Sequence, residues 1–106
     1  MFSTIFELSR SKLNTFPLFV RSNKITEELG EFAEALAHKM GFLPHKTMKE
    51  PLEGEAADII ICVLDTLACA YPELTQPELD DMIKLQLNLK CSKWERIMIE
   101  RADIHK

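Results

Sequence analysis

The sequence predicts an all-α protein, and three observations support this fold class. Only three glycines occur in 106 residues, and no alternating apolar and polar pattern is long enough to indicate a half-buried strand. Apolar residues instead recur at helical spacing in four segments, which proline, glycine and capping residues separate. Short links between four helices predict an antiparallel four-helix bundle, formed by a single domain over residues 1–106.

The first two helices are predicted from apolar periodicity and from their end signals. Residues 3–13 form a short amphipathic helix that ends before Pro17. The second helix covers about residues 22–40, and Gly41 ends it because glycine accepts the left-handed conformation of a helix end. Its predicted core stripe consists of Ile25, Leu29, Phe32, Leu36 and Met40.

The third and fourth helices follow from a proline, an apolar run and a capping box. Pro51 suits the first turn of the third helix. Residues 56–70 are apolar almost all round, which predicts a central helix buried by neighbours or by a partner subunit. Thr75 and Glu78 form a capping box that starts the fourth helix, which is predicted to reach about Ile99. The apolar third helix therefore predicts a homodimer or a homotetramer.

Two acidic pairs carry the main chemical signal. Glu28 and Glu31 lie in the second helix and Glu55 and Asp58 in the third, and each pair is spaced i, i+3. This spacing places two carboxylates on one side of each helix, about one turn apart. Four carboxylates that converge from two helices form a site for a hard divalent cation. For the second helix alone, a solvated acidic face is the alternative, since long charged side chains usually cover surface.

Helical phase distinguishes the glutamates of the second helix. At about 100° per residue, Glu28 lies at the margin of the apolar stripe and Glu31 about 60° further round. Glu27 and Glu34 are predicted to point away from the core, towards water. The phase therefore favours Glu28 and Glu31 as the inward-facing pair.

Acids within the apolar third helix support the same site. Asp58 and Asp65 are seven residues apart and hence lie on one face of the helix. A buried carboxylate is costly unless it is paired, hydrogen-bonded or bound to a metal. One such aspartate would fit a structural role, but Glu55, Asp58 and Asp65 on one stripe indicate a site.

The two acidic halves together resemble a known family. A lysine lies three residues before a Glu-Glu-x-x-Glu segment, and a Glu-x-x-Asp segment follows some two dozen residues later. This pattern resembles the MazG-like members of the all-α nucleoside triphosphate pyrophosphohydrolases. The resemblance extends over residues 14–90 and includes Lys84 and Asn88, which look like the Lys-x-x-x-Asn of the family's last helix. The acidic motif consists of Lys24, Glu27, Glu28, Glu31, Glu55 and Asp58.

The resemblance implies hydrolysis of a nucleoside triphosphate between the α and β phosphates, which gives the monophosphate and pyrophosphate. The implied cofactor is Mg²⁺, for which Mn²⁺ can substitute. The implied metal ligands are Glu28, Glu31, Glu55 and Asp58.

Other residues receive catalytic or substrate-binding roles from the same resemblance. Lys24 and Lys84 are expected to stabilise charge on the phosphates, and Glu27 is a candidate for activating water. Asn88, with both lysines, is expected to contact triphosphate or ribose. For Lys24, an ordinary helix-surface ion pair is an equal alternative. The base would lie against apolar side chains such as Phe16, Phe32 or Trp94.

Two other functions agree with the same residues. Phosphoribosyl-ATP pyrophosphohydrolase resembles the chain in Glu55-Ala-Ala-Asp58, although its acidic pairs usually lie closer together than Glu31 and Glu55 do here. Outside enzymes, the chain would be a helical dimerisation or regulatory module that keeps a metal site for stability.

Charge and cysteine content exclude several classes of protein. A net charge of -4 argues against a duplex nucleic-acid binder, which needs a basic face. The three cysteines form no Cys-x-x-Cys, so the sequence suggests neither a disulfide framework nor a zinc site. The first residues lack a signal-peptide pattern and no run is long enough to cross a bilayer, so a cytoplasmic protein without a membrane partner is expected.

In the loop at residues 42–50, Lys46 and Lys49 would either reach a phosphate or be solvated.

Overall fold

The computed structural model describes residues 2–43, 47 and 50–104, which form four α-helices and no strand. The predicted all-α class is therefore confirmed for this part of the chain. Lys46 and Lys49, for which the sequence leaves open a phosphate contact or a solvated position, lie outside the described residues. The helices are α1 (Ser3–Ser9), α2 (Leu18–Lys39), α3 (Leu52–Ala70) and α4 (Gln76–Ile104).

α1 is shorter than predicted and ends at Ser9 instead of residue 13. The reason is tertiary, because the guanidinium of Arg10 turns to the end of α3 and the connection that follows it. Its nitrogens donate hydrogen bonds to the carbonyl oxygens of Ala68, Tyr71 and Leu74. The carbonyl of Tyr71 also accepts a hydrogen bond from the N–H of Leu74, so Arg10 supplies additional donors where α3 ends.

α2 begins at Leu18, four residues earlier than predicted, because Pro17 forms its N-cap in an extended conformation. Its predicted end is confirmed. Gly41 has a φ of 85°, and its N–H donates to the carbonyl of His38. The N–H of Phe42 donates to the carbonyl of Ala37, which completes a Schellman motif.

The predicted boundary between α3 and α4 is confirmed as well. The N–H of Thr75 donates to the Glu78 carboxylate at 3.0 Å, and the N–H of Glu78 donates to the Thr75 hydroxyl at 3.3 Å. These reciprocal bonds form the expected capping box. They also hold the pKa of Glu78 below its ordinary value.

α2 and α3 pack against each other in antiparallel directions. Arg21, near the start of α2, contacts Asp65 in the second half of α3. Glu28, one to two turns further along α2, lies close to Glu55 in the first turn of α3. The contacting residue numbers rise along one helix and fall along the other, so the acidic pairs meet near the start of α3.

The buried core joins α1, α3 and the first turn of α4. Phe6 and Leu79 are fully buried and pack with Leu64 and Ala68. From Lys84 to residue 103, in contrast, every side chain of α4 except that of Ile97 is at least one-third exposed. The radius of gyration of 17.4 Å exceeds the value of about 13 Å that a compact domain of this length has. Much of α4 therefore extends beyond the packed bundle.

The predicted core stripe of α2 was wrong for three of its five residues, whereas Ile25 and Phe32 are half-buried. Leu29, Leu36 and Met40 are exposed, whereas Glu28 and Ala35 are the buried residues of this helix. α2 thus turns a face centred on Glu28 towards α3, and its apolar stripe lies to one side. For the same reason Glu34, predicted to face water, is half-buried.

Among the described residues, no helix has both the length and the hydrophobicity that a membrane span needs.

Candidate metal centre

Two buried glutamates form the centre of the candidate site. Glu28 of α2 is 6% exposed and Glu55 of α3 is 7% exposed. Within the described part of the chain, the Oε2 atom of each carboxylate has no hydrogen-bond partner. A buried charged oxygen without a donor is unfavourable, and a bound cation removes that penalty.

The surrounding carboxylates form two groups of three. In the first, oxygens of Glu28, Glu31 and Glu55 all lie within 4.8 Å of one another. In the second, oxygens of Glu50, Glu55 and Asp58 do so. The structure thus brings together all four acids predicted as metal ligands, and Glu55 belongs to both groups.

Glu50 is the acid that the sequence reasoning missed. It directly precedes Pro51, the N-cap of α3, so it lies at the end of the helix that carries Glu55 and Asp58. A carboxylate next to this N-terminal proline was the available signal. The signal is weak because two lysines and a histidine dominate the charge of the loop at residues 42–50.

The electrostatics of the cluster are dominated by burial and by like charges. Burial raises the pKa of Glu28, and the carboxylates of Glu31 and Asp58 raise it further. Burial also raises the pKa of Glu55, followed by the effect of Glu50. The neighbouring Asp58 raises the pKa of Glu50. Each of these carboxylates therefore favours a bound proton or a bound cation.

Among the described residues, Lys24 is a cation that lies beside this cluster. Its ammonium lies 3.1 Å from a carboxylate oxygen of Glu27 and 3.6 Å from one of Glu28. Its pKa is raised, chiefly by the hydrogen bond to Glu27. The side chain of Glu27 is 66% exposed, which confirms that it points outward. Lys24 therefore links the exposed glutamate to the buried one, as its ion-pair alternative predicted.

Lys84 and Asn88 are not brought to the cluster within one chain. Both lie on the exposed part of α4. The ammonium of Lys84 pairs with the carboxylate of Asp80, one turn back on the same helix, and this pair raises the pKa of Lys84. Their predicted contacts with a nucleotide stay predictions. The same holds for the apolar candidates Phe16 and Trp94, whose side chains are exposed.

Asp65 does not belong to the metal centre, and its assignment to that site was wrong. Its Oδ1 atom accepts hydrogen bonds from Ser9 Oγ at 2.6 Å, Arg21 Nη1 at 2.8 Å and Asn14 Nδ2 at 3.3 Å. Arg21 also donates to the backbone carbonyl of Ser9. Asp65 is thus a paired structural acid that ties α1 and α2 to α3.

The donor set suits a hard divalent cation. All five clustered ligands offer carboxylate oxygens, which Mg²⁺ and Mn²⁺ prefer. The three cysteines are free, and none belongs to either carboxylate group.

Comparison of the chain with protein-family models, with curated proteins and with solved structures finds no match.

Proposed function

We propose that the protein hydrolyses a nucleoside or deoxynucleoside triphosphate to the monophosphate and pyrophosphate with Mg²⁺, or with Mn²⁺ in its place. The observation that carries this proposal is the pair of buried Oε2 atoms of Glu28 and Glu55, which have no donor among the described residues and lie beside Glu31 and Asp58. Such a centre suits a cation that keeps open positions for phosphate oxygens. The reaction itself is supported by the resemblance of the acidic motif to the MazG-like pyrophosphohydrolases.

The proposed roles follow from the positions of the side chains. Glu28, Glu31, Glu55 and Asp58 hold the metal between α2 and α3. Bound Mg²⁺ supplies Lewis-acid polarisation of the phosphoryl oxygens and lowers the pKa of the attacking water.

Lys24 and Glu27 act as a linked pair in this proposal. Lys24 has an exposed ammonium, which can leave its ion pair and bind a phosphate oxygen of the departing pyrophosphate. Once Lys24 moves, a carboxylate oxygen of Glu27 is free to accept a proton from water.

We further propose that a second copy of the chain covers α4, giving a homodimer or a homotetramer. Beyond Lys84 the helix carries two exposed apolar stripes on opposite sides. Its charges have both signs and are interspersed, so no strongly charged partner is indicated. One stripe consists of Leu85, Leu89 and Ile99, and the other of Leu87, Trp94 and Met98.

The proposed assembly affects where Lys84 and Asn88 would contact the nucleotide. Because α4 extends beyond its own bundle, their predicted contacts with triphosphate or ribose would be made at the centre of a second copy. The proposed ligand set of the metal does not depend on them.

The test is pyrophosphate release from a panel of nucleoside triphosphates and phosphoribosyl-ATP with Mg²⁺. The parent should release pyrophosphate from at least one triphosphate, and Glu28→Gln should reduce the rate at least a hundredfold. Glu53→Gln is the matched control, since Glu53 is exposed and belongs to neither carboxylate group. Turnover of phosphoribosyl-ATP alone would favour that enzyme class. Metal binding without any turnover would favour the non-catalytic module.

A further inference from the structure

We propose that Glu50 is a fifth metal ligand, which with Asp58 and Glu55 holds a second divalent cation beside the one held by Glu28, Glu31 and Glu55. The ligand class is a pair of hard cations such as Mg²⁺ or Mn²⁺, with Glu55 shared between them. The inference deepens the proposed function and rests on the same centre.

The geometry divides the cluster into two candidate cation sites. The first seat consists of Glu28, Glu31 and Glu55, and the second seat consists of Glu50, Glu55 and Asp58. A single cation contacts carboxylate oxygens at about 2.0 to 2.6 Å, so oxygens that share an ion lie within about 5 Å of one another. Each group of three meets this condition, with all its oxygens within 4.8 Å. Glu55 is the member common to both groups, and a carboxylate has two oxygens with which to serve two ions.

The unpaired buried oxygen of Glu55 points to a ligand in addition to the grouping of acids. Glu55 is more than nine-tenths buried, and its Oε2 has no hydrogen-bond partner among the described residues. The unpaired Oε2 of Glu28 marks the first seat in the same way. Glu55 therefore joins the two seats, and none of the described residues compensates the charge at its Oε2 atom.

The charge of the clustered carboxylates favours a second divalent cation. Glu28, Glu31, Glu50, Glu55 and Asp58 together offer five carboxylates, and Lys24 is already paired with Glu27 and Glu28. One divalent cation neutralises two of the five negative charges and leaves three, of which Lys24, shared with Glu27, offsets at most one. A second cation between Glu50 and Asp58 removes the repulsion between these two carboxylates.

The position of Glu50 suits a ligand that completes a seat. It lies outside the helices, one residue before the N-cap of α3, and its side chain is exposed. Glu55 and Asp58 are fixed by α3, so Glu50 can close the second seat over them. Two ions that share a carboxylate lie about 3.5 to 4 Å apart in two-metal centres, close enough to contact one polyphosphate together.

The experiment counts Mn²⁺ bound to the nucleotide-free protein by electron paramagnetic resonance and equilibrium dialysis. The parent should bind two Mn²⁺ per chain and show the dipolar coupling of neighbouring ions. Glu50→Gln should bind one Mn²⁺ and lose the coupling, while the control Glu53→Gln should still bind two. The melting temperature of each metal-free variant confirms that it is folded.

The outcomes separate this inference from the proposed function. A parent that binds one Mn²⁺ and still releases pyrophosphate, or a Glu50→Gln variant that keeps two coupled ions, would overturn the second seat alone. A parent that binds two Mn²⁺ but hydrolyses no nucleotide would support the second seat and overturn the proposed function.

Discussion

Asp58 lies half-buried beside Glu50 and Glu55, and its carboxylate adds negative charge to a cluster that already repels itself. We predict that Asp58→Asn abolishes pyrophosphate release, because the cluster loses a ligand for the cation. The metal-free variant should melt at the parent temperature or slightly above it, since one repulsive charge is gone. Both quantities should be measured on the same preparation.

A structural acid at position 58 would give the opposite pattern. Loss of its charge would strand a partner, and the metal-free protein would be destabilised by about 3 to 5 kcal/mol. That loss, with activity remaining in the folded fraction, would remove Asp58 from the ligand set.

Asp65 provides the contrasting case at the same scale. The side chain of its partner Arg21 is only 9% exposed, so Asp65→Asn leaves a largely buried guanidinium without its counter-charge. We predict a loss of about 2 to 4 kcal/mol in the free energy of unfolding, measured by urea denaturation. Mn²⁺ binding at a temperature where the variant stays folded should not change. Weakened Mn²⁺ binding with normal stability would return Asp65 to the metal centre.

At the scale of elements, α4 is the helix that the rest of its own chain leaves largely uncovered. Trp94 and Leu87 lie on one of its exposed apolar stripes. We predict that the double substitution Leu87→Glu and Trp94→Glu converts a dimer or tetramer into a monomer, because four carboxylates would be buried against each other in every dimer. Light scattering coupled to size-exclusion chromatography measures the mass.

A matched substitution controls for the added charge. Gln86→Glu also places a carboxylate on exposed α4 but outside both stripes, so it should leave the assembly intact. A parent that is monomeric at micromolar concentration would contradict the proposed partner for this helix.

At the scale of the whole molecule, we expect the proposed metal binding to be linked to folding. The centre forms only where α2 meets α3, so a cation that binds there stabilises the native state alone. At a free metal concentration of 100 times the Kd, this linkage contributes about 2.7 kcal/mol. We predict a rise in melting temperature that continues with added Mg²⁺ or Mn²⁺. An unchanged melting curve at millimolar metal would contradict the centre.

The stability of the metal-free protein should also depend on pH. In the folded state the pKa values of Glu28, Glu50 and Glu55 lie above their ordinary value of 4.5. The folded protein therefore binds more protons than the unfolded chain, and its stability falls as the pH rises from 4.5 through the raised pKa values. The lowered pKa values of Glu78 and Asp80 act in the opposite direction, but only at lower pH.

The measurement is a series of urea denaturation curves in EDTA from about pH 5 to about pH 8. The free energy of unfolding should decline over this range, and Glu28→Gln should flatten the decline. With saturating Mg²⁺ the slope should reverse, because the ligands bind the metal in their deprotonated form. A flat profile in EDTA would show that the clustered acids do not repel one another in the folded protein.

Local sequence signals determined most of the helical framework. The φ of Gly41 and the reciprocal bonds of Thr75 and Glu78 involve only neighbouring residues, so the sequence was sufficient to place these helix ends. The i, i+3 spacing of the acidic pairs likewise fixed which carboxylates share one side of a helix. The carboxylates of Glu28 and Glu31 both lie within 4.8 Å of Glu55, and Asp58 lies within the same distance of Glu55, which agrees with that spacing.

The tertiary structure decided which face of each helix is buried and what each acid contacts. α2 buries Glu28 and exposes Leu29, although the apolar stripe predicted Leu29 in the core and Glu28 only at its margin. Packing against α3 fixes the rotation of the helix. Asp65 and Asp58 lie on one face of α3, yet one meets Arg21 and the other meets carboxylates. Spacing along a helix sets the direction of a side chain. The charge that the side chain meets depends on which residue of another helix lies opposite, and only the packing of the whole chain determines this residue.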